Sequence, residues 1–338
     1  MMLTFRKPRA VTTITPQRIS FFGGGTDIPS FYTKSDGEVI SSAINQYVYV
    51  TVKKHSTLFN ESYRLSYSTT EHVNQLDDIQ NSIARECLRL VYVEPPLYIA
   101  TVADLPASSG LGSSSSFAVG LLNALHILRG ERVSPVQLAE EACEIEISVL
   151  GNPIGKQDQY AAAFGGLNHL VFKGSGRVEI DHLMLQDNLI NKIFDNSLLV
   201  WTGIQRNASN ILSKQNINIE LNRVNYDLLI KDCKSCKELM LNAPLDFIAR
   251  FGELLDKSWE TKKNLDESIS SREMDMIHQK AKLIGGYGGK LSGAGGGGFF
   301  FEIVPKELQQ ELIHIYGENK TLNVQYEPLG SRLLSEVY

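Results

Sequence analysis

The segment Pro106-Ala-Ser-Ser-Gly-Leu-Gly-Ser-Ser-Ser-Ser116 constrains this chain more than any other, because it lies directly between a strand-like run, Leu97–Ala103, and a helix-like run that starts at Phe117. A Gly/Ser-rich linker would separate domains; this one joins a strand to a helix. A helix N-terminus leaves several N–H groups unpaired and carries about half a positive charge. Gly110 and Gly112 let the backbone approach an anion with no Cβ in the way. The hydroxyls of Ser108, Ser109, Ser113, Ser114 and Ser115 can donate to phosphate oxygens, and one can complete the shell of a Mg²⁺ ion, which prefers oxygen ligands. Pro106 and Leu111 complete the loop, which is read as a site for a nucleoside triphosphate. It is not a Walker A loop, since Gly112 is followed by Ser113 and not by lysine.

The flanking segments predict a mixed α+β chain. Phe117, Leu121, Leu125 and Leu128 recur at helical spacing and stop at Gly130. Ser134 is an N-cap with Pro135 at the first helical position and Gln137 completing a capping box, and the helix runs on to Gly151. Arg18–Phe22, Tyr47–Val52, Leu167–Phe172, Leu198–Thr202 and Phe299–Val304 read as strands, with a last strand around Asn323–Tyr326. From Asn207 to Leu283 the chain is helix-rich and broken only by Pro244, and Gly285–Gly298 is dense in glycine.

A length of 338 residues with 43% hydrophobic content suits roughly two domains. A net charge of −5 argues against nucleic acid as a partner, because displacing its counterions takes clustered Lys and Arg. No apolar run is long enough for a signal peptide or a membrane span, and the four cysteines suit a reducing compartment, so a cytoplasmic location is expected. Cys233 and Cys236 form a C-x-x-C that no second ligand pair completes, which reads as chance spacing on a helix.

Two carboxylates stand in apolar surroundings. Glu146 has Ala142, Cys143, Val149 and Leu150 at helical spacing, and a carboxylate there is costly to bury without a cation or donors. It reads equally as an edge residue that snorkels. Asp158 has Ile154, Gly155, Ala161 and Ala162 around it, small neighbours that leave room for a ligand; it also reads as an acid in a first helical turn, favoured by the dipole alone.

Three motifs in order make the chain resemble the GHMP kinases. Arg18-Ile-Ser-Phe-Phe-Gly-Gly-Gly-Thr-Asp27 is similar to their N-terminal substrate motif, Pro106–Ser115 to their central phosphate motif, and Lys290-Leu-Ser-Gly-Ala-Gly-Gly-Gly-Gly298 to their C-terminal glycine loop. The resemblance implies a ribosomal protein S5 domain 2-like domain over residues 1–190 and a ferredoxin-like domain over residues 191–338, with the active site between them. It implies an ATP- and Mg²⁺-dependent small-molecule kinase in which Glu146 and Ser114 hold Mg²⁺, Asp158 takes the proton of the acceptor hydroxyl and Arg18 stabilises the transferring group. Glu146 and Asp158 stand twelve residues apart, as in galactokinase-like members, with Gly151-x-Pro-x-Gly155 between them.

Gly24, Gly25, Thr26 and Asp27, with Gly293, Ala294 and Gly295 of the last loop, are the implied acceptor residues. Gly23-Gly-Gly-Thr-Asp27 is similar to the motif of bacterial heptose 7-phosphate kinases, as are Thr202–Ser209 and Gly330-Ser-Arg332. The implied partner is a sugar or sugar phosphate, with neither nucleic acid nor membrane, and the oligomeric state is left open, a homodimer included. A phosphorylated acceptor calls for a cation, for which Arg206 is the candidate and Lys173, Arg177 and Lys290 the alternatives. A kinase for L-fucose or galactose, a non-catalytic sugar sensor and an RNA-binding protein are the rival readings, the last opposed by the net charge.

Overall fold

The computed structural model describes residues 7–205 and 208–338. Its first sheet is organised by a long antiparallel pair, β1 (Ala10–Phe22) and β2 (Gly37–Lys54), rich in Val, Ile and Thr, which fit a pleated, buried surface. β3 (Tyr63–Ser66) pairs with β4 (Thr70–Val73) and runs parallel to β5 (Leu97–Ala103). β5 pairs with the end of β2 at Val48–Lys54, whereas β6 (Leu167–Phe172) pairs with its start at Gly37–Ser42 and carries β7 (Val178–His182) on its other edge.

The second sheet contains β8 (Ser197–Trp201), β9 (Gly288–Leu291), β10 (Phe299–Ile303) and β11 (Thr321–Leu322), all antiparallel, in the order β11-β8-β10-β9. The chain then returns: β12 (Arg332–Val337) pairs with β1. The strand expected at Asn323–Tyr326 is therefore displaced. Only Thr321–Leu322 is a strand there, Tyr326 makes an isolated bridge to Ile44, and the last strand completes the first sheet.

The helix after the phosphate loop spans Ser113–Arg129, so its serines are already helical, and Gly112 (φ 80°) and Gly130 (φ 86°) cap its ends in the left-handed region. It packs on β1 and β2. Gly120 lets the backbones approach: a Cβ there would stand 2.7 Å from Thr15 Oγ1, and Thr13 Oγ1 donates to the Gly120 carbonyl at 2.8 Å. Ser134 caps the next helix, Pro135–Cys143, by accepting from the Gln137 N–H, but the Gln137 side chain donates forward to Glu141 and closes only half of the capping box. The helix then continues as a π-helical turn over Glu144–Val149. Among the described residues the helix-rich stretch has four α-helices, Ala208–Ile217, Arg223–Asn242, Phe247–Lys263 and Arg272–Leu283, with Pro244 in the second break. Cys233 and Cys236 are buried free thiols on the second of these.

One apolar core joins the two sheets. Phe21 and Phe22 of β1 meet Phe251 at ring-centroid distances of 5.4 and 5.7 Å, and Phe21 meets Phe301 of β10 at 5.3 Å. Burying such a ring stabilises by roughly 1.5–3 kcal/mol, so this cluster ties β1 to the second sheet and its helix. Among the described residues no helix is long and apolar enough to cross a membrane.

Candidate active site

The phosphate loop is anchored from below and shaped by the second glycine loop. Leu111 is fully buried, its carbonyl accepts from the Arg18 N–H at 3.0 Å, and the Ser109 carbonyl accepts from Phe299 N–H at 3.3 Å. Gly110 (φ 83°) lies against the C-terminal loop so closely that a Cβ would stand 2.5 Å from the Ser292 carbonyl oxygen. Gly293 faces it in turn, 2.8 Å from Gly110 Cα by the same measure. The two loops therefore join in lining a cavity of about 290 Å³, Ser108, Gly110, Gly112, Ser113, Ser114 and Ser115 from the first and Gly293, Ala294 and Gly295 from the second.

Glu146 enters this cavity from the π-helical turn. Wider i→i+5 winding occurs often at functional sites, where it re-aims a side chain. Glu146 is 1% exposed, and its Oε2 accepts from Ser115 Oγ at 2.7 Å and Gln159 Nε2 at 2.8 Å. Burial pushes its carboxyl up to about 7, against the hydrogen bonds of Ser115, Gln159 and Ser114. A buried acid with two flanking serine hydroxyls is an oxygen-donor set that fits a hard divalent cation. A second group, Glu38, His169 and Cys233, is also close-packed, but Glu38 and His169 bond each other at 3.0 Å and are met at 3.3 Å by Lys234 and Lys237 respectively, so protein cations already balance it.

Asp158 lies in the first turn of the Gln157–Phe164 helix and holds Arg18 of β1 in two parallel bonds, Nε to Oδ1 at 2.7 Å and Nη2 to Oδ2 at 2.6 Å. The third arm, Nη1, donates to the Gly110 carbonyl at 2.7 Å and ties the pair to the phosphate loop. Beside them Asp27, 2% exposed, accepts from the N–H groups of Gly25 at 3.0 Å and Gln157 at 3.2 Å. Burial and the neighbouring Asp158 hold its carboxyl above the usual range. Gly155 is glycine for this reason: a Cβ would stand 1.9 Å from Asp27 Oδ2.

Two family models match the chain, GHMP kinases N terminal domain over residues 79–166 and GHMP kinases C terminal over 243–319. The chain is 32% identical over 317 residues to the D-glycero-alpha-D-manno-heptose 7-phosphate kinase of Campylobacter jejuni, covering 90% of this chain and 92% of that protein. This chain belongs to the GHMP kinase family. It is also 26% identical over 329 residues to a galactokinase of Pyrococcus furiosus, covering 88% and 90%. The fold matches the crystal structure of a D-glycero-D-manno-heptose 1-phosphate kinase from Bacteroides thetaiotaomicron with a TM-score of 0.72 at 23% identity over 97% of this chain and 99% of that one. The protein is accordingly a GHMP-family small-molecule phosphotransferase with the two-domain fold of that family.

Within this GHMP kinase the cavity brings together Arg18, Gly24, Gly25, Asp27, Glu146 and Asp158 with both glycine loops. Several residues expected there have other work. The Thr26 hydroxyl is fully buried, with the Gly23 and Glu38 carbonyls at 2.8 and 2.9 Å to take its one hydrogen and the Glu38 N–H donating to it at 3.0 Å, so it shapes the turn and does not line the cavity. Ser109 and Leu111 lie beneath the loop, and Pro106 is exposed at its rim. The serine that bonds Glu146 most directly is Ser115, with Ser114 beside it.

Arg206 lies outside the described residues. Of the alternative cations, Lys173 pairs with Asp36 and Glu179, Arg177 is exposed outside the cavity, and Lys290 is buried with its ammonium on the Ser20 and Phe21 carbonyls. Gly330-Ser-Arg332 packs behind the Gln157–Phe164 helix, with Ser331 bonded to Thr15 and Asn123. Besides Arg18, the cation that lines the cavity among the described residues is Lys262, at the end of the Phe247–Lys263 helix; together with Gln157, Gln215 and Asn152 it escaped the sequence reading. Lys262 adjoins Lys263 in a polar stretch, and nothing in that pattern marks one lysine as buried.

Proposed function

We propose that this cavity transfers the γ-phosphoryl group of ATP to C1 of D-glycero-D-manno-heptose 7-phosphate, giving the 1,7-bisphosphate for nucleotide-heptose and surface polysaccharide synthesis. The observation that carries the reading is the convergence, in one cavity, of a glycine-serine helix N-terminus, a buried acid flanked by serine hydroxyls and an Arg–Asp pair. The name of the Campylobacter jejuni relative supports the acceptor.

The amides and hydroxyls from Ser108 to Ser115 suit the β- and γ-phosphates, since orphan N–H groups at a helix start favour negative charge. Glu146 with Ser114 and Ser115 would hold Mg²⁺, which when bound supplies positive charge to the phosphate oxygens. Arg18 gives a second, fixed charge on the side of Asp158. Asp158 accepts the proton of the acceptor hydroxyl as that oxygen bonds to the γ-phosphorus and the bond to the ADP oxygen breaks. Phosphoryl transfer through a loose transition state needs alignment and charge more than a strong base, which suits a carboxylate already held by an arginine. Asp27, which its two backbone donors fix in place, offers acceptor oxygens to sugar hydroxyls.

Incubation with ATP, Mg²⁺ and heptose 7-phosphate, followed by ³¹P NMR, tests the proposal. A second sugar-phosphate resonance coupled to the anomeric proton is expected. A sugar that keeps its single phosphate signal, while galactose or L-fucose gains one, would replace the heptose acceptor by another sugar.

A further inference from the structure

Lys262 is 5% exposed, yet among the described residues no carboxylate makes a salt bridge with it; its ammonium donates to the Gly293 carbonyl at 2.6 Å. An ammonium has three donors, so two remain. A buried cation without a partner carries a desolvation cost, and burial pushes its pKa down to about 8, with Asp27 working against that shift. The other cation of the cavity, Arg18, is already engaged on all three arms.

Two further polar groups meet Lys262 over one glycine. A Cβ on Gly24 would stand 3.1 Å from Ser20 Oγ, 3.7 Å from Gln157 Nε2 and 3.9 Å from Lys262 Nζ. Ser20 Oγ is buried with no hydrogen-bond partner, as is Gln157 Oε1. Ser20 belongs to β1 and Gln157 to the Asp158 helix, whereas Lys262 comes from the helix that covers the second sheet. The three groups thus approach Gly24 from both sides of the cleft, on a residue that lines the cavity next to Asp27.

We propose that Ser20, Gln157 and Lys262 form, over Gly24, the subsite for a phosphate group carried by the acceptor itself. The inference rests on the proposed sugar-phosphate reading and deepens it: the subsite selects monophosphorylated sugars against their unphosphorylated counterparts. A phosphate supplies the negative charge that Lys262 lacks and the acceptor oxygens that the Ser20 hydroxyl and the Gln157 amide can use, and it links groups from both walls, so binding it draws the cleft together. A neutral sugar offers none of that charge.

The test compares kcat and KM for heptose 7-phosphate and for the same heptose without its phosphate, in wild type, Lys262→Met and Ser20→Ala. The Ser20 hydroxyl has no partner within the protein, so alanine there breaks no bond of the fold and only removes one of the three donors. Loss of one charge-assisted hydrogen-bonding group is expected to raise the KM for heptose 7-phosphate roughly 10- to 100-fold. The KM for ATP and the constants for the unphosphorylated heptose should stay within about twofold, the precision of such a comparison. Lys262→Arg should recover part of the loss. Equal losses with both acceptors, or none with either, would overturn the subsite. Failure of the heptose reading looks different: wild type would then reject both heptoses yet use another sugar phosphate, on which the same comparison is made. A wild type that prefers no phosphorylated acceptor overturns the subsite and leaves the kinase standing.

Discussion

Arg18 and Asp158, 140 residues apart in the chain, hold each other in a two-bond ion pair at 2.7 and 2.6 Å, and the arginine's third arm rests on the carbonyl of Gly110. The residue proposed to take the proton and the residue proposed to stabilise the phosphoryl group are therefore one unit, fastened to the phosphate loop. Its planar fork matches a carboxylate in the way that it would match a phosphate. Asp158→Asn should cut turnover by roughly 10²-fold or more, the size of a lost general base, while calorimetry shows ATP binding within a few-fold of wild type. Wild-type turnover in this variant would remove Asp158 from the chemistry.

Glu146 gives the site a pH dependence of its own. Burial pushes its folded-state carboxyl up to about 7 from the ordinary glutamate value of 4.5, so the folded protein holds an extra proton between those values. Stability therefore falls as pH rises from 4.5 to 7 in protein without metal, by about 3 kcal/mol at 1.36 kcal/mol for each unit. Glu146→Gln should remove that slope in chemical denaturation, leaving the variant more stable than wild type at pH 8 and much weaker in binding Mg²⁺. In wild type, Mg²⁺ affinity should drop about tenfold for each pH unit below 7, since only the carboxylate is a ligand. Flat Mg²⁺ titrations from pH 5 to 8 would take Glu146 out of the metal site.

Gly110 and Gly112 predict opposite kinds of damage. Both have positive φ, which costs a residue with a Cβ about 1–2 kcal/mol. At Gly110 a Cβ would also meet the Ser292 carbonyl at 2.5 Å, whereas at Gly112 its nearest neighbours are Arg18 Cγ and Asp158 Oδ2, both at 3.4 Å. Gly110→Ala should push the two glycine loops apart and lower the melting temperature the more. Gly112→Ala should melt nearer to wild type but lose activity, because its methyl lies against the Arg18–Asp158 pair. Equal melting temperatures in the two variants would contradict this division.

Away from the site, His278 joins the Arg272–Leu283 helix to the Phe247–Lys263 helix through Asp256 at 2.5 Å and to β10 through Glu302 at 3.0 Å. Burial opposes its charge, but Glu302 and Asp256 outweigh it and raise its pKa from 6.5 to about 10. A raised histidine contributes stability fully below 6.5, and loses it as pH climbs through 10. His278→Leu leaves Glu302 buried without its cation, which should destabilise by about 3–5 kcal/mol near neutral pH and less at pH 10, measured by denaturant titration.

The local parts of this architecture were legible in the sequence, and the non-local parts were not. β5 and β6 follow their β-branched and aromatic runs to the residue, and Ser134 caps as its hydroxyl predicts. The π-helical turn at Glu144–Val149 was invisible, since ordinary helical spacing applied there names the wrong neighbours for Glu146. The return of β12 to β1 depends on a pairing across the whole chain, which no local pattern encodes. Thr26 and Lys262 mark the same limit from opposite sides: a hydroxyl expected at the ligand is buried against Gly23 and Glu38, and a lysine that no sequence pattern singled out is buried in the cavity. Burial is decided by packing between distant segments, and residue type alone does not give it.

The glycine-serine loop, Glu146 and Asp158 are proposed to work on one triphosphate. A crystal structure with Mg²⁺ and a non-hydrolysable ATP analogue tests it most directly. The β- and γ-phosphates should rest on the amides between Ser108 and Ser115, the ion should touch Glu146, and Arg18 should turn at least one arm from Asp158 to the γ-phosphate. A triphosphate bound elsewhere, with Arg18 still locked on Asp158 and no ion at Glu146, would contradict the account.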